Sequence, residues 1–228
     1  MKTWIKILLI SCTLAWNSLV FCGEIHAAAQ SGDLGKIKAL LKDNADLISS
    51  RNDAGLTPLM VAAENGSTNI VAFLIANKSD VNARDNAGQT PLHWAVSSRQ
   101  INVVELMLTN KAEINCKSNS GLTPLHYAAA FGFGETNIVN LLLDNGAEIN
   151  AKDNNGKTPL HFASLYGFKN IVELLVSRKA EINARDINKQ TPLSAALDTI
   201  SLPLYMVKTS AAGKKSVADF LRQHNGQE

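Results

Sequence analysis

The sequence predicts an all-α solenoid, with about six helix-turn-helix units stacked in a row and joined by β-turn or hairpin loops. Three observations predict it. The tripeptide Thr-Pro-Leu starts at Thr57, Thr90, Thr123, Thr158 and Thr191, at spacings of 33, 33, 35 and 33 residues. Other features recur in phase with it. Gly55, Gly88, Gly121 and Gly156 lie two residues before the threonine, and the units close on Asp80-Val81-Asn82-Ala83, Glu113-Ile114-Asn115-Cys116, Glu148-Ile149-Asn150-Ala151 and Glu181-Ile182-Asn183-Ala184. Between these marks the apolar residues fall at helical spacing, as in Val103, Val104, Leu106 and Met107. A fixed period of this size is the sequence mark of stacked repeats.

Along the chain, the first element is a targeting segment. Lys2 and Lys6 give a basic start, and Ile7 to Phe21 carries no charge. That order suits a secretory signal peptide over residues 1–22, and the run is short for a spanning helix, which needs about 20 apolar residues. Cleavage is expected after Cys22 or Gly23. A retained anchor, or lipid on Cys22, would tether the same domain to a membrane, although the bulky Phe21 sits where a lipidation motif wants a small residue. The whole chain carries 22 Lys+Arg against 20 Asp+Glu. Without Lys2 and Lys6 the charges balance, so no general attraction to nucleic acid is expected. Cys12 and Cys22 also leave with the signal, making Cys116 the single thiol, which cannot form a wrong internal disulfide.

Within each unit every recurring piece has a physical task. Threonine caps a helix by accepting from free amides, and proline fits the first turn, where its missing donor is not needed. The small pairs Ala62-Ala63 and Ala128-Ala129 let a neighbouring helix approach closely. Gly66, Gly132 and Gly167 end the first helix in a left-handed conformation. Ile70-Val71, Val103-Val104, Ile138-Val139 and Ile171-Val172 open the apolar face of the second helix. Stretches such as Arg84-Asp85-Asn86-Ala87-Gly88 suit a tight turn. Residues 23–228 thus form one stack, with units at 24–52, 53–85, 86–118, 119–153, 154–186 and 187–228. The unit at 119 is two residues longer, at Phe133-Gly134. Arg99 stands where its neighbours have glycine, as does Lys189. The last unit carries an insertion, 199–215, expected as a loop.

These residues resemble ankyrin repeats. Thr-Pro-Leu-His-x-Ala appears as Thr90 to Ala95, Thr123 to Ala128 and Thr158 to Ala163. The segment Ile25-His26-Ala27-Ala28-Ala29 resembles the opening unit of such proteins, with wording closest to bacterial, exported members. Lys36, Lys38 and Lys42 make its second helix polar, as an end cap requires. The resemblance implies an ankyrin-repeat solenoid that binds another protein through its concave face, and histidines that make structural hydrogen bonds.

No catalytic pattern interrupts this reading. There is no Cys-x-x-Cys, His-Glu-x-x-His, Gly-x-Ser-x-Gly or phosphate loop in the sequence. No catalytic residue, metal ligand, cofactor or small-molecule substrate is expected, and the protein is not expected to be an enzyme. The repeat register puts a row of side chains outward on hairpin tips and first helices, among them Glu64, Gln89, Leu122, Ala130, Phe131, Lys157, Leu165 and Tyr166, with Phe133 close by. Early units offer polar groups. The units at 119 and 154 offer aromatic ones, the residue types that dominate binding energy. Trp94, Tyr127 and Phe162 are expected to pack between repeats. The expected function is non-catalytic binding of a protein partner, as a periplasmic scaffold or protector, or alternatively as a secreted effector acting on a host protein.

Overall fold

A computed structural model describes residues 23–131, 135–198 and 211–228. The segment 1–22 expected to be a signal, with Cys22, the Gly132-Phe133-Gly134 stretch and residues 199–210 of the insertion lie outside the described residues. The first unit holds α1 (residues 23–31), α2 (Leu34–Asp43) and a 3-10 turn at Ala45–Ser49. The following units each supply a first and a second helix: α3 (Pro58–Glu64) and α4 (Thr68–Ala76), α5 (Pro91–Ser97) and α6 (Ile101–Thr109), α7 (Pro124–Phe131) and α8 (Asn137–Asp144), α9 (Pro159–Leu165) and α10 (Lys169–Ser177), α11 (Pro192–Leu197) and α12 (Ala211–Gln223). Residues 211–215, expected in a loop, form the first turn of α12, where Ala211, Ala212, Lys214 and Lys215 have good helix propensity and outweigh Gly213. No strand occurs among the described residues.

Helix starts follow the recurring tripeptide. Thr57 Oγ1 accepts from Met60 N at 3.3 Å, and Thr191 Oγ1 from Ser194 N at 3.2 Å. Each proline sits in the first turn. Helix ends follow the glycines: Gly66 and Gly167 have φ of 71° and 69°, and Arg99 adopts the same conformation at 59°.

The core is written in the same period. Leu59, Leu92, Leu125, Leu160 and Leu193 are buried on the first helices. Ile70-Val71, Val103-Val104, Ile138-Val139, Ile171-Val172 and Val217-Ala218 are buried on the second. First helices stack on one another in the order α3, α5, α7, α9, α11, and second helices form a parallel outer row. Small alanines are buried on the inner row and larger aliphatic groups on the outer row, and repeat stacks of this kind curve to present one concave binding surface.

Five hairpin turns project from this stack with one hydrogen-bond pattern. Asp85 N donates to Gln89 O at 2.9 Å and Gly88 N to Asp85 O at 3.0 Å, and the other four turns repeat both bonds. Asp85 Oδ1 also accepts from Ala87 N and Gln89 N, each at 2.8 Å, which holds the loop closed from inside. Neighbouring turns are laced together: Asn86 N donates to Ala54 O, Asn119 N to Ala87 O, Asn154 N to Ser120 O and Ile187 N to Asn155 O. Gly88 has φ 74°, and a Cβ there would lie 2.8 Å from Asn119 N. Glycine therefore serves both the turn and the approach of the next unit.

Candidate protein-binding face

The outward row is held in place by the histidines. His26, His93, His126 and His161 are buried. Their Nε2 atoms meet Leu56 O at 2.7 Å, Leu122 O at 3.0 Å, Lys157 O at 3.1 Å and Gln190 O at 3.1 Å, each in the following unit. A carbonyl only accepts, so each Nε2 carries the proton and donates. In the three central units Nδ1 is then an acceptor, taking the backbone N–H of Thr90, Thr123 and Thr158 at 3.1 Å. One neutral ring thus closes its own helix start and grips the next hairpin. Burial pushes His93 and His126 down to about 4, and lowers His161 as well.

This grip fixes the tip residues named from the sequence. Leu122 and Lys157 are the acceptors of two of these bonds, and Gln89 holds the same place one unit earlier, tied to Asp85. All three side chains are half-buried. Glu64 is half-buried at the end of α3, where its carbonyl accepts from Gln100 Nε2 at 3.3 Å.

On each first helix, residues three and four apart share the open face. In α5 these are Trp94 and Ser97, followed by Ser98. In α7 they are Tyr127, Ala130 and Phe131, and in α9 Phe162 and Leu165, followed by Tyr166. Phe131, Leu165 and Tyr166 are half-buried, as the register requires. Ala130 is buried at 8% exposure, so it belongs to the packing and not to the outward row. Its short side chain does not reach past Tyr127 and Phe131, whose ring centroids are 5.7 Å apart. Tyr166 stacks on Phe168 at 6.0 Å.

The structure adds three residues that the sequence assigned to packing alone. Tyr127 sits edge-on to His93 at 5.2 Å, and Phe162 edge-on to His126 at 5.6 Å, so both do pack between units. Trp94 Nε1 donates to Asp85 Oδ2 at 3.0 Å. Yet all three remain half-buried, at helical register positions that share the open face. Their helical spacing to Ser97, Phe131 and Tyr166 was the signal that would have found them. Burial raises the Tyr127 phenol, an effect that the nearby Ser118 side chain partly opposes. The face therefore runs from Glu64, Asn65, Ser97 and Ser98 at one end to an aromatic bay over α7 and α9.

Cys116 is buried behind this face, 3.4 Å from Thr90 Oγ1 and 3.7 Å from His93 Nδ1. Burial raises its thiol, so the sulfur stays protonated and acts as packing. Among the described residues no three His, Cys, Asp or Glu side chains converge as metal ligands, and no helix is long and apolar enough to cross a membrane.

The fold and this face define a repeat-built binding scaffold. The family of ankyrin repeats (3 copies) matches residues 25–118 and again 103–186, more than half of the chain. The protein belongs to the ankyrin repeat family, whose arrays support protein–protein interaction. A 52-residue stretch is 36% identical to the NAD-capped RNA hydrolase NUDT12 of Macaca fascicularis, and equally to those of Pongo abelii and Homo sapiens. That match covers 23% of this chain and 11% of each relative. It lies in the ankyrin region and shows no enzymatic activity for this chain.

Proposed function

We propose that this protein is a non-catalytic scaffold or protector that holds a protein partner on its concave face, centred on Phe131, Leu165 and Tyr166 and flanked by Leu122 and Lys157. The carrying observation is the run of half-buried aromatic rings on consecutive inner helices, Trp94, Tyr127, Phe131, Phe162 and Tyr166. Rings held in this way offer large contact area at low ordering cost. Glu64 and Gln89 form the polar rim of the same face. The reading includes export through the segment at 1–22 and action in the periplasm. It is supported by Lys2 and Lys6 preceding the uncharged run Ile7 to Phe21.

The test is crosslinking in the protein's own cells, with wild type beside Tyr166→Ala and Phe131→Ala. Loss of one defined adduct with Tm unchanged supports the bay as the binding surface. An unchanged adduct, or a Tm drop of many degrees that makes both rings core residues, overturns it. Fractionation tests the location, and recovery from the culture medium would replace the periplasmic reading with secretion.

A further inference from the structure

A second surface lies on the hairpin stems. Arg51, Arg84, Lys117, Lys152 and Arg185 occupy one position in five consecutive units, and all five are exposed. Their heads are linked in a file. Arg51 Nη1 donates to the carbonyl of Arg84, Arg84 Nη2 to that of Lys117, Lys117 Nζ to that of Lys152 at 3.0 Å, and Lys152 Nζ to that of Arg185 at 3.4 Å. Each bond uses one donor. An arginine has five N–H groups and a lysine three, so Arg84, Lys117, Lys152 and Arg185 each carry more donors than these bonds use, even with Arg185 Nη1 also donating to the Lys189 carbonyl at 3.1 Å. The side chains are already ordered, which lowers the entropy lost on meeting a ligand.

The surrounding acids define what this file can accept. Asp85, Asp153 and Asp186 follow three of the cations but are buried, and the Oδ1 of each takes two backbone N–H groups. Exposed Asp80, Glu113, Glu148 and Glu181 form a parallel row four residues earlier, beside Lys78, Lys111 and Lys179. None of Arg84, Lys117, Lys152 and Arg185 has a carboxylate within 4.0 Å among the described residues. Packed helices lie about 8–10 Å apart, which sets the step between cations. A peptide in the extended polyproline II conformation has three residues per turn and rises about 3.1 Å per residue, so every third side chain returns to one face after about 9 Å. Duplex DNA places a phosphate of each strand about every 3.4 Å of helix axis. Most of those phosphates would face no cation, and the acidic row beside the file would repel them.

We propose that the cation file is a second recognition surface, which takes an extended acidic segment of a partner protein carrying a carboxylate at about every third residue. It is independent of the aromatic bay. The probe is a fluorescein-labelled peptide of about 15 residues built from Glu-Ser-Thr repeats. A control peptide has the same composition with its glutamates consecutive. Anisotropy is read on the purified chain.

The spaced peptide is expected to bind and to weaken about tenfold between about 0.03 M and about 0.3 M salt, because exposed charges are screened. The variant Arg84→Gln/Lys117→Gln/Lys152→Gln/Arg185→Gln is expected to bind at least about tenfold more weakly. Glutamine keeps an amide donor for the neighbouring carbonyl, and the single variants Lys117→Gln and Lys152→Gln cover the case of a misfolded quadruple variant, each losing about twofold to threefold. Glu113→Gln/Glu148→Gln/Glu181→Gln is expected to tighten binding, and Tyr166→Ala to leave it unchanged. Absence of binding at low salt, equal binding by the four-cation variant, or preference for the clustered peptide overturns the proposal. Displacement of the peptide by an equimolar uridine oligonucleotide also overturns it, in favour of a nucleic-acid surface.

Discussion

The units at 86, 119 and 154 share a Thr-Pro-Leu start with the unit at 187, but the two groups fasten to their neighbours differently. Each central unit sends a buried histidine into the next hairpin and uses a turn glycine to let that hairpin approach. In the unit at 187, Ser194 stands in the histidine's place and Lys189 in the glycine's, with φ 62°. Ile187 replaces the tip asparagine and is 67% exposed. Among the described residues no further hairpin stacks on this unit. Instead the tail supplies the missing partners: Gln227 N donates to Asn183 Oδ1 at 2.8 Å, Asn183 Nδ2 to Asn225 O at 3.0 Å, and Thr191 Oγ1 to the Gln227 carbonyl. The difference shows what the repeated histidine and glycine are for. They serve the interface with the following unit, and both are relaxed where the tail takes over.

Acid breaks this comparison most strongly. His93 and His126 are held near 4 in the folded chain against 6.5 when unperturbed. Folding therefore favours their neutral forms. The stability they contribute is fully present above about 6.5 and is lost as pH falls toward about 4. Protonating Nδ1 would turn it toward a backbone N–H donor. At 1.36 kcal/mol per pKa unit, each ring loses about 2 kcal/mol between pH 7 and pH 5. Urea melts at the two pH values measure the loss. Carrying His93→Gln and His126→Gln together should flatten the pH dependence over this range; an unchanged slope would show that other groups control it.

Removing one tie comes next. His126→Ala leaves the Thr123 amide and the Lys157 carbonyl without their partner and opens a cavity, at a cost of about 3 kcal/mol. Ser194→Ala, in the unit without the tie, should cost under about 1 kcal/mol. Equal losses in thermal melts would remove the distinction between central and final units. Gly88→Ala is smaller but clear. It forces alanine to φ 74° and against Asn119 N, for a loss of about 2 kcal/mol.

The residues that set helix position are the ones most legible in the sequence. Thr, Pro, Gly and the Ile-Val pairs act locally, so each reports its own turn, cap or buried face without knowledge of its neighbours. The histidine role was legible for the same reason, since a side chain repeated in register meets the same partner every time. The concave face was legible only in part. Phe131 and Tyr166 follow from the register, whereas Trp94, Tyr127 and Phe162 lie beside the buried histidine and show their open side only once the angle between hairpin and helix is fixed. Ala130 was misplaced because register gives direction but not length, and a methyl group between two rings does not reach the surface. The cation file needed three dimensions as well, because its order comes from bonds between residues 33 to 35 positions apart.

Arg99 supplies the smallest and most discriminating test. It ends α5 at φ 59°, in the place that Gly66 and Gly167 fill after α3 and α9. A left-handed conformation costs a non-glycine residue about 1–2 kcal/mol. Two terms oppose the gain from removing that strain. Glycine adds freedom to the unfolded chain, and the change deletes an ion pair to Glu135 that is long at 3.9 Å and exposed on both sides. Exposed pairs of this kind contribute about 0–1 kcal/mol, so Arg99→Gly should stabilise the chain by about 0.5–1 kcal/mol. Lys189→Gly relieves the same strain at the last hairpin, where no neighbouring asparagine presses on the turn, and should gain a similar amount. If strain alone governs these positions, the two variants shift the urea midpoint upward together and additively. A gain at Lys189 with a loss at Arg99 would mean that the arginine holds the connection to the aromatic bay, and would move it from a relaxed consensus position to a structural part of the binding face.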